Sequence, residues 1–540
     1  MNRVLVLGGY GGFGARLSRR LAADGWTVIV AGRSEAKAQA FGQTLPGAEA
    51  AAADRNDDLA PVFTSAGPDL VIDAAGPFQG SSYRVAEACI AAGIHYFDLA
   101  DASRFVCEFG QLDAAAKTAN VVAISGASTL PALSSAVVAH LAEGIERIDR
   151  VDMTLSAAGA TTASLSVAQA VLSYAGQVVP VWRGQRLDTA CGAREMRRIR
   201  YAVEGTPPLR RLISLADVPD LLHLPERLPG RPAVIFRAGN DSALQMRVLA
   251  LLARLVRLGL IKSLRPWASA LAWVQRRLAF LASDRSAMNV TIDGQLGGMP
   301  FRRSWTLIAG RGDGPEIPVM AAQLLARKLR EGTLAAGARD AGGLLSLTEF
   351  RCLYTNLAMQ EEILHQSVPS LYPSAMLERF ALLPAPVRAM HSLSGDGGAA
   401  GRGTVIRGGS LLARLTCDLL GFPPAGEYDV HVSFSECGGI ERWTRRFGPY
   451  SFSSEMGPSP YDVAERFGPL RFHFELPVKD GRLEMVLRRW TAFGVPLPLL
   501  LAPRIHAFEC AAGEDFVFDV AVAMPLLGPI VHYRGMLRRL

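Results

Sequence analysis

Long apolar runs are missing from this chain. No stretch reaches the roughly 20 uninterrupted apolar residues of a spanning helix. The run at 4–7 meets glycines at once and is too short for the core of a secretory signal. Charge of one sign is scarce too: 57 Lys and Arg stand against 50 Asp and Glu, a net +7. That excess is too weak to indicate nucleic acid as a partner. The seven cysteines (89, 107, 191, 352, 417, 437 and 510) form no C-x-x-C pair and no Cys/His cluster. Neither a metal site nor a disulfide framework is expected, and a reducing, cytoplasmic setting fits. None of the 11 tyrosines has Lys four residues on, which excludes the Tyr-x-x-x-Lys pair of short-chain dehydrogenases. G-x-S-x-G, a Walker A lysine and H-E-x-x-H are absent as well.

What is present is a long, apolar, ordered chain. Hydrophobic residues make up 49% of its 540 positions, which excludes a disordered polymer. At about 150 residues per domain the length suggests three or four units. Residues 1–125 alternate strand-length apolar runs (4–7, 27–31, 48–53, 69–74, 94–99, 121–125) with Ala-rich helical stretches. That beat predicts an α/β unit with a doubly wound parallel sheet. From 148 to 330, strand-like stretches at 151–156, 178–182, 233–237, 288–293 and 305–309 mix with long helices, predicting an α+β unit. Helices are expected to close it at 317–331 and 346–364. Beyond 370 helical signals run to about 420. Alternating strands follow, in which Val430, Val432 and Phe434 share a face, as do Leu470, Phe472 and Phe474, and Phe516, Phe518 and Val520. Asp480-Gly481 marks a hairpin, and the glycine-dense 394–403 reads as a flexible loop. The expected division is 1–130, 131–365 and 368–540, the last a mainly antiparallel sheet or barrel of its own.

The sharpest motif is Gly9-Tyr10-Gly11-Gly12-Phe13-Gly14. It follows a strand and opens a helix, the setting in which G-x-G-x-x-G binds a dinucleotide. Gly9 permits the turn, Gly11 lets backbone approach a pyrophosphate and Gly14 lets helix pack on strand. The helix N-terminus then holds the phosphates. The second strand ends at Gly32-Arg33-Ser34, where an NAD site carries an acid for the ribose 2′-hydroxyl. A guanidinium there suits a 2′-phosphate, so NADP is expected over NAD, with Ser34 adding a hydroxyl or capping the next helix. Asp54 either approaches the adenine or serves as a cap. Ala75, Gly76, Pro77 and Phe78 end the fourth strand with small residues that let the nicotinamide end lie against backbone. Tyr96 and Asp98 close the fifth strand and are the candidates for proton transfer. Packing of Tyr96 and loop bracing by Asp98 are the alternative.

Together Gly9-x-Gly11-x-x-Gly14, Ala31-Gly32-Arg33, Gly76-Pro77-Phe78, Ala88-Cys89 and Gly93-x-His95-Tyr96-Phe97-Asp98-Leu99 resemble the saccharopine dehydrogenase family. The resemblance is to its reductases of unassigned substrate, and is good to about 130 and looser to about 360. It implies a Rossmann domain followed by a domain that shapes the substrate cleft and often dimerises. The rest, with Leu383-Pro384-Ala385-Pro386, Leu420-Gly421-Phe422-Pro423-Pro424 and Glu441-Arg442-Trp443, resembles a bacterial domain of unknown function fused behind such reductases. The expected activity is an NADP(H)-dependent oxidoreductase acting on a carbonyl, imine or enoyl-type carbon. The alternative is a non-catalytic NADPH-sensing or lipid-associated binding protein.

One region lies outside these motifs. In 247–282, Arg247, Arg254 and Arg257 fall within about 80° of a helical wheel, and Trp267, Trp273 and Phe280 follow with Arg276 and Arg277. A helical hairpin packed on the protein with arginines reaching outward is the expectation. Peripheral contact with an anionic membrane is the alternative. Arg194, Arg197, Arg198 and Arg200 read as a solvated face or as a receiver of an acidic substrate.

Overall fold

The computed structural model describes residues 2–159, 165–277, 280, 282–297, 299–393, 395–525 and 527–540. Three sheets organise the chain. The first is parallel and begins with β1 (Arg3–Leu7), β2 (Thr27–Gly32), β3 (Glu49–Ala52), β4 (Leu70–Asp73), β5 (His95–Asp98) and β6 (Val122–Ser125). Its spatial order is the strand at Gly337–Asp340, then β6, β5, β4, β1, β2 and β3. β1 shows why the sheet is covered twice. Val4 and Val6 enter one apolar layer and Leu5 and Leu7 the other, all fully buried. Reversal of strand order between β1 and β4 opens a crevice at the carboxyl ends, the usual ligand position of such sheets.

The four-residue strand at 337–340 had no signal of its own, yet it pairs with β6 from Gly337↔Val122 to Asp340↔Ser125. Helix Ile317–Arg330 runs into it and packs on α1 (Gly14–Ala23). Arg327 pairs with Asp24 at 2.6 Å, and Arg20 with Glu316 at 2.6 Å. One apolar layer is therefore continuous from Val4 through Leu325 to Trp305 of the second sheet.

That second sheet has nine strands, with Ala233–Asn240, Arg147–Ser156, Ser286–Leu296 and Met299–Ala309 at its centre. One expectation fails beside it, and another holds except at Arg197. The helix expected at 346–364 ends after Leu347–Arg351, and Met359–Ser367 is an edge strand paired from Ala309↔Met359 to Phe301↔Ser367. An open sheet edge outweighs helical propensity there. Ser346 and Glu349 form a capping box at its start. Arg197 belongs to a strand, Arg197–Val203, and binds Asp152 at 2.7 Å. Arg194, Arg198 and Arg200 are exposed.

The third sheet is antiparallel with 13 strands. Segment 482–492 pairs first with Arg504–Ala512 (Leu483↔Glu509) and then, past a bend, with Leu470–Glu475 (Phe474↔Leu487). Two consecutive strands, Arg482–Glu484 and Val486–Ala492, thus join both ends of the sheet and close it as a barrel. Asp480 and Gly481 both take positive φ in the tight hairpin before it. The flexible loop expected at 394–403 is instead the strand Asp396–Arg407 in the barrel wall, Ser394 lying outside the described residues. Its glycines serve close approach. A Cβ on Gly398 would sit 2.1 Å from the Gly184 carbonyl oxygen, and one on Gly401 2.0 Å from that of Met536. Where Gly184 and Gly398 meet, the barrel is joined to the second sheet by charged side chains: Arg302 binds Glu436 at 2.8 Å, and Arg150, paired with Asp293 inside the second sheet at 2.7 Å, donates to the Gly395 oxygen at 3.2 Å.

Candidate functional site

The glycine loop spans 8–13 between β1 and α1. Gly8 holds φ +74, and a Cβ on Gly14 would sit 2.1 Å from its carbonyl oxygen. Only glycine fits at 14, as the motif requires. A Cβ on Gly9 would lie 2.8 Å from the Val6 oxygen, while Gly12 faces open space. The exposed approach to the backbone is thus through Gly12, while Gly11 N donates back to the Gly8 oxygen at 2.8 Å. Phe13 is half-buried and packs against the core at the start of α1. Tyr10 lies across Gly32, where any Cβ would meet its ring, and its hydroxyl accepts from Ser34 N at 3.1 Å.

At the end of β2, Arg33 is exposed and no carboxylate pairs with it among the described residues. Ser34 caps α2 (Glu35–Gly42) by accepting from Lys37 N. Asp54 is spent locally, accepting from Asn56 N and Nδ2, both at 3.0 Å. Its side chain braces a turn, and the helix that follows, Ala60–Ala66, starts from Leu59, so Asp54 is not the cap expected.

The 75–78 loop is held by a residue that sequence reasoning missed. Arg55 Nη2 lies 3.0 Å from the fully buried Asp73 carboxylate. Nη1 of the same guanidinium donates to the Ala75 and Pro77 oxygens at 3.3 and 3.4 Å, and its plane covers the Phe78 ring at 4.7 Å. Burial raises the Asp73 pKa while Arg55 opposes the rise. The peptide before Pro77 is cis.

The two proton-transfer candidates are corrected. Tyr96 is 1% exposed, stacked on Phe109 inside the apolar layer, and burial pushes its pKa far up. Asp98 is fully buried, and its Oδ1 accepts from Ala100 N, Ser125 Oγ and Gly126 N at 2.8–3.0 Å. It ties the loop after β5 to the one after β6. Burial raises its pKa to about 6. A carboxyl raised in the folded state binds its proton more tightly there than when unfolded. Its stabilising share is full below the unfolded value and is lost as pH rises from about 4 to about 6. Asp98→Asn keeps the accepting oxygen. Melting temperatures of the variant should therefore fall less across that window than those of the parent. Identical slopes would show that Asp98 titrates normally.

The polar groups that do meet at this edge come from further away. Ser166 Oγ donates to the Gly76 oxygen at 3.3 Å, and Arg265 Nη2 to the Gln79 oxygen at 2.8 Å. Gln79 Nε2 donates to Asp101 at 3.1 Å, and Ser103 Oγ to Asp217 at 2.5 Å. Desolvation raises the pKa values of Asp217 and Tyr174, and the charge of Asp217 adds to the rise in Tyr174, while Asp101 stands exposed beside them. Three weak acids thus converge beside the 75–78 loop. Among the described residues no group of His, Cys, Asp and Glu could hold a metal ion.

The 247–282 region is neither of the pictures expected in full. Helices Ala243–Arg257 and Ala268–Arg277 do pack on the protein, through Ala250, Ala253, Ala268 and Ala272. Their large side chains face outward: Leu244, Leu251, Leu258, Trp267, Trp273 and Phe280 are all more than half exposed. Arg277 covers Trp273 at 5.4 Å. Residues 278, 279 and 281 lie outside the described residues. Among those described, no helix is long and apolar enough to cross a membrane.

Comparison with known proteins supplies the family context. No curated protein matches the chain. Solved structures give short, distant likenesses. A 3-hydroxyacyl-CoA dehydrogenase type-2 from Mycobacterium avium is 20% identical, covering 23% of this chain and 71% of its own, with a TM-score of 0.20. A 3-ketoacyl-(acyl-carrier-protein) reductase from Brucella melitensis, complexed with NADH, is 17% identical over 23% and 73%, at 0.19. An alternative dihydrofolate reductase from Brucella canis, complexed with NADP, is 20% identical over 18% and 54%, at 0.16, so this chain spans about half of it. Likenesses this slight bear on neither ligand nor reaction. The family matches are specific: the chain carries a saccharopine dehydrogenase NADP binding domain at residues 4–124 and a domain of unknown function (DUF4166) at residues 383–537.

Proposed function

We propose that the chain is an NADP(H)-dependent oxidoreductase of the saccharopine dehydrogenase type. One observation carries the reading: an open glycine loop stands beside an exposed, unpaired Arg33 at the place where an NAD site has an acid. The residues fit the cofactor. Loop amides around Gly12 and the start of α1 receive the pyrophosphate. Arg33 and Ser34 receive the 2′-phosphate. Arg55 sets the 75–78 loop beside the nicotinamide end. When bound, the nicotinamide supplies hydride transfer to or from a carbonyl, imine or enoyl-type carbon. The chain's part is to orient the substrate and to hold a proton on Tyr174, a phenol whose pKa burial raises further, with Asp101 and Asp217 beside it. Titration calorimetry with NADPH and NADH tests the reading. NADPH binding is expected, and no heat from either cofactor would overturn it.

A second reading concerns location and rests on the exposed face of 242–283. That segment holds no Asp or Glu and seven Lys or Arg: 247, 254, 257, 262, 265, 276 and 277. Outward leucines and tryptophans beside acid-free positive charge match an anionic lipid surface. The protein is expected to float with anionic vesicles at low salt, to be released by salt, and to ignore neutral vesicles. Failure to float with anionic vesicles would end this reading and leave the enzymatic one untouched.

A further inference from the structure

The barrel interior has a property that the reductase reading does not use. Closure by the 482–492 segment encloses an interior, and the large inward side chains do not fill the space. A cavity of about 190 Å³ remains. Its wall is built mainly of aromatic and aliphatic groups, among them Trp443, Phe447, Phe472 and Phe518. An apolar cavity of about 150 Å³ already stays dry and takes up benzene, so this one has room for a ring or a short hydrocarbon chain.

The polar groups in that wall select the kind of molecule. Arg445 is the guanidinium of the lining, and it is already engaged. Its Nη1 donates to Ser454 Oγ at 2.9 Å, its Nη2 lies 3.6 Å from Glu465, and its plane covers Trp443 at 5.4 Å. Glu509, also in the lining, is held by the fully buried His391 ring at 2.5 Å. Glu441 is buried nearby and accepts from Trp443 Nε1 at 3.1 Å. The ring of Tyr372, another wall residue, lies tilted by 32° against His391 with centroids 3.8 Å apart. Carboxylates therefore match or outnumber the cations in either charge state of His391. An anionic head group would enter with no free cation to meet it among the described lining residues and would face Glu465 and Glu509. A neutral hydroxyl or carbonyl meets acceptors and donors at no such cost.

Access is also visible in the side chains. Thr416 and Leu420 of helix Leu411–Leu420 form part of the wall, as does Pro503. The same helix exposes Leu411, Leu412 and Leu415, and the turn before Pro503 exposes Leu499, Leu500 and Leu501. The turn that precedes it is exposed as well, with Phe493 84% and Val495 58% exposed. Apolar side chains stand on the outside of both wall segments, where an apolar ligand arriving from a lipid phase would first be met.

We propose that the barrel is a binding site for a neutral, mainly apolar small molecule carrying one hydroxyl or carbonyl group, and that it discriminates against carboxylates. The test uses the full chain and two probes of equal length, 1-octanol and octanoate, by titration calorimetry. Octanol is expected to bind at least about tenfold more tightly, a difference of about 1.4 kcal/mol. Glu465→Gln releases the Arg445 guanidinium and should shift the preference about tenfold toward octanoate. Ala507→Phe fills the cavity from its wall and should abolish binding of both probes, with cooperative melting retained as the control for folding. The proposal is overturned if octanoate binds the parent as tightly as octanol does. It is overturned equally if neither binds at millimolar concentration, or if Glu465→Gln, folded by its melting curve, leaves the preference unchanged. NADPH binding is a separate readout, so failure here leaves the reductase reading standing.

Discussion

Arg55→Met is expected to cost about 3–5 kcal/mol of stability, the usual penalty for removing one partner of a buried ion pair. The Asp73 carboxylate is fully buried, and the guanidinium 3.0 Å away keeps it company. Methionine retains packing against Phe78 and removes the charge along with the donors to the Ala75 and Pro77 oxygens. Asp73 then takes up a proton, and the 75–78 loop loses its tether. Urea unfolding of the single variants and of Arg55→Met/Asp73→Asn measures the coupling, and the double variant should recover part of the loss. A loss below about 1 kcal/mol, typical of exposed pairs, would mean that water reaches this pair. Because Arg55 touches both the carboxylate under the loop and the loop itself, cofactor affinity should fall with stability.

The second large effect is a reversal of selectivity. The parent should prefer NADPH to NADH by about 2 kcal/mol, roughly 30-fold, if one guanidinium pairs with the 2′-phosphate. Arg33→Asp replaces that charge with an acceptor for a ribose hydroxyl and should invert the order. Arg33 forms no structural contact among the described residues, so the variant should melt with the parent. Equal affinity of the parent for both cofactors would refute the role given to Arg33.

What could be read in advance follows the spacing of the information along the chain. The glycine loop, β1 and α1 lie within twenty-odd contiguous residues, and each glycine has a local reason, so motif and geometry agree. Arg55 could not be found that way. Its partners Asp73, Ala75 and Pro77 come from another loop, and an arginine after a weak strand reads as surface. Ser166, Tyr174 and Asp217 reach the edge from the second unit, and only the fold brings them to Asp101 and Gly76. Tyr96 and Asp98 show the converse error. Polar letters at a strand end look the same whether they face a crevice or brace a neighbouring loop. Asp98 braces because the amides of Ala100 and Gly126 converge on it. The glycines of 397–403 misled for a related reason. Density of glycine signals freedom unless something crowds it, and here the crowding atoms belong to residues 184 and 536.

The strand at 337–340 has a consequence for how the protein is made. Until it arrives, β6 is an open edge, and the layer over β1 lacks the 317–330 helix that covers it. On a ribosome moving at about 5–20 residues per second, the intervening 126–336 take some 10–40 s to emerge. Through that interval the nucleotide-binding sheet is tethered to the ribosome with one flank bare. The nascent chain should be most vulnerable to proteases and most dependent on chaperones then, and should become resistant abruptly once residue 340 clears the exit tunnel. Arrested nascent chains ending before and after that point, probed by pulse proteolysis, would show the step.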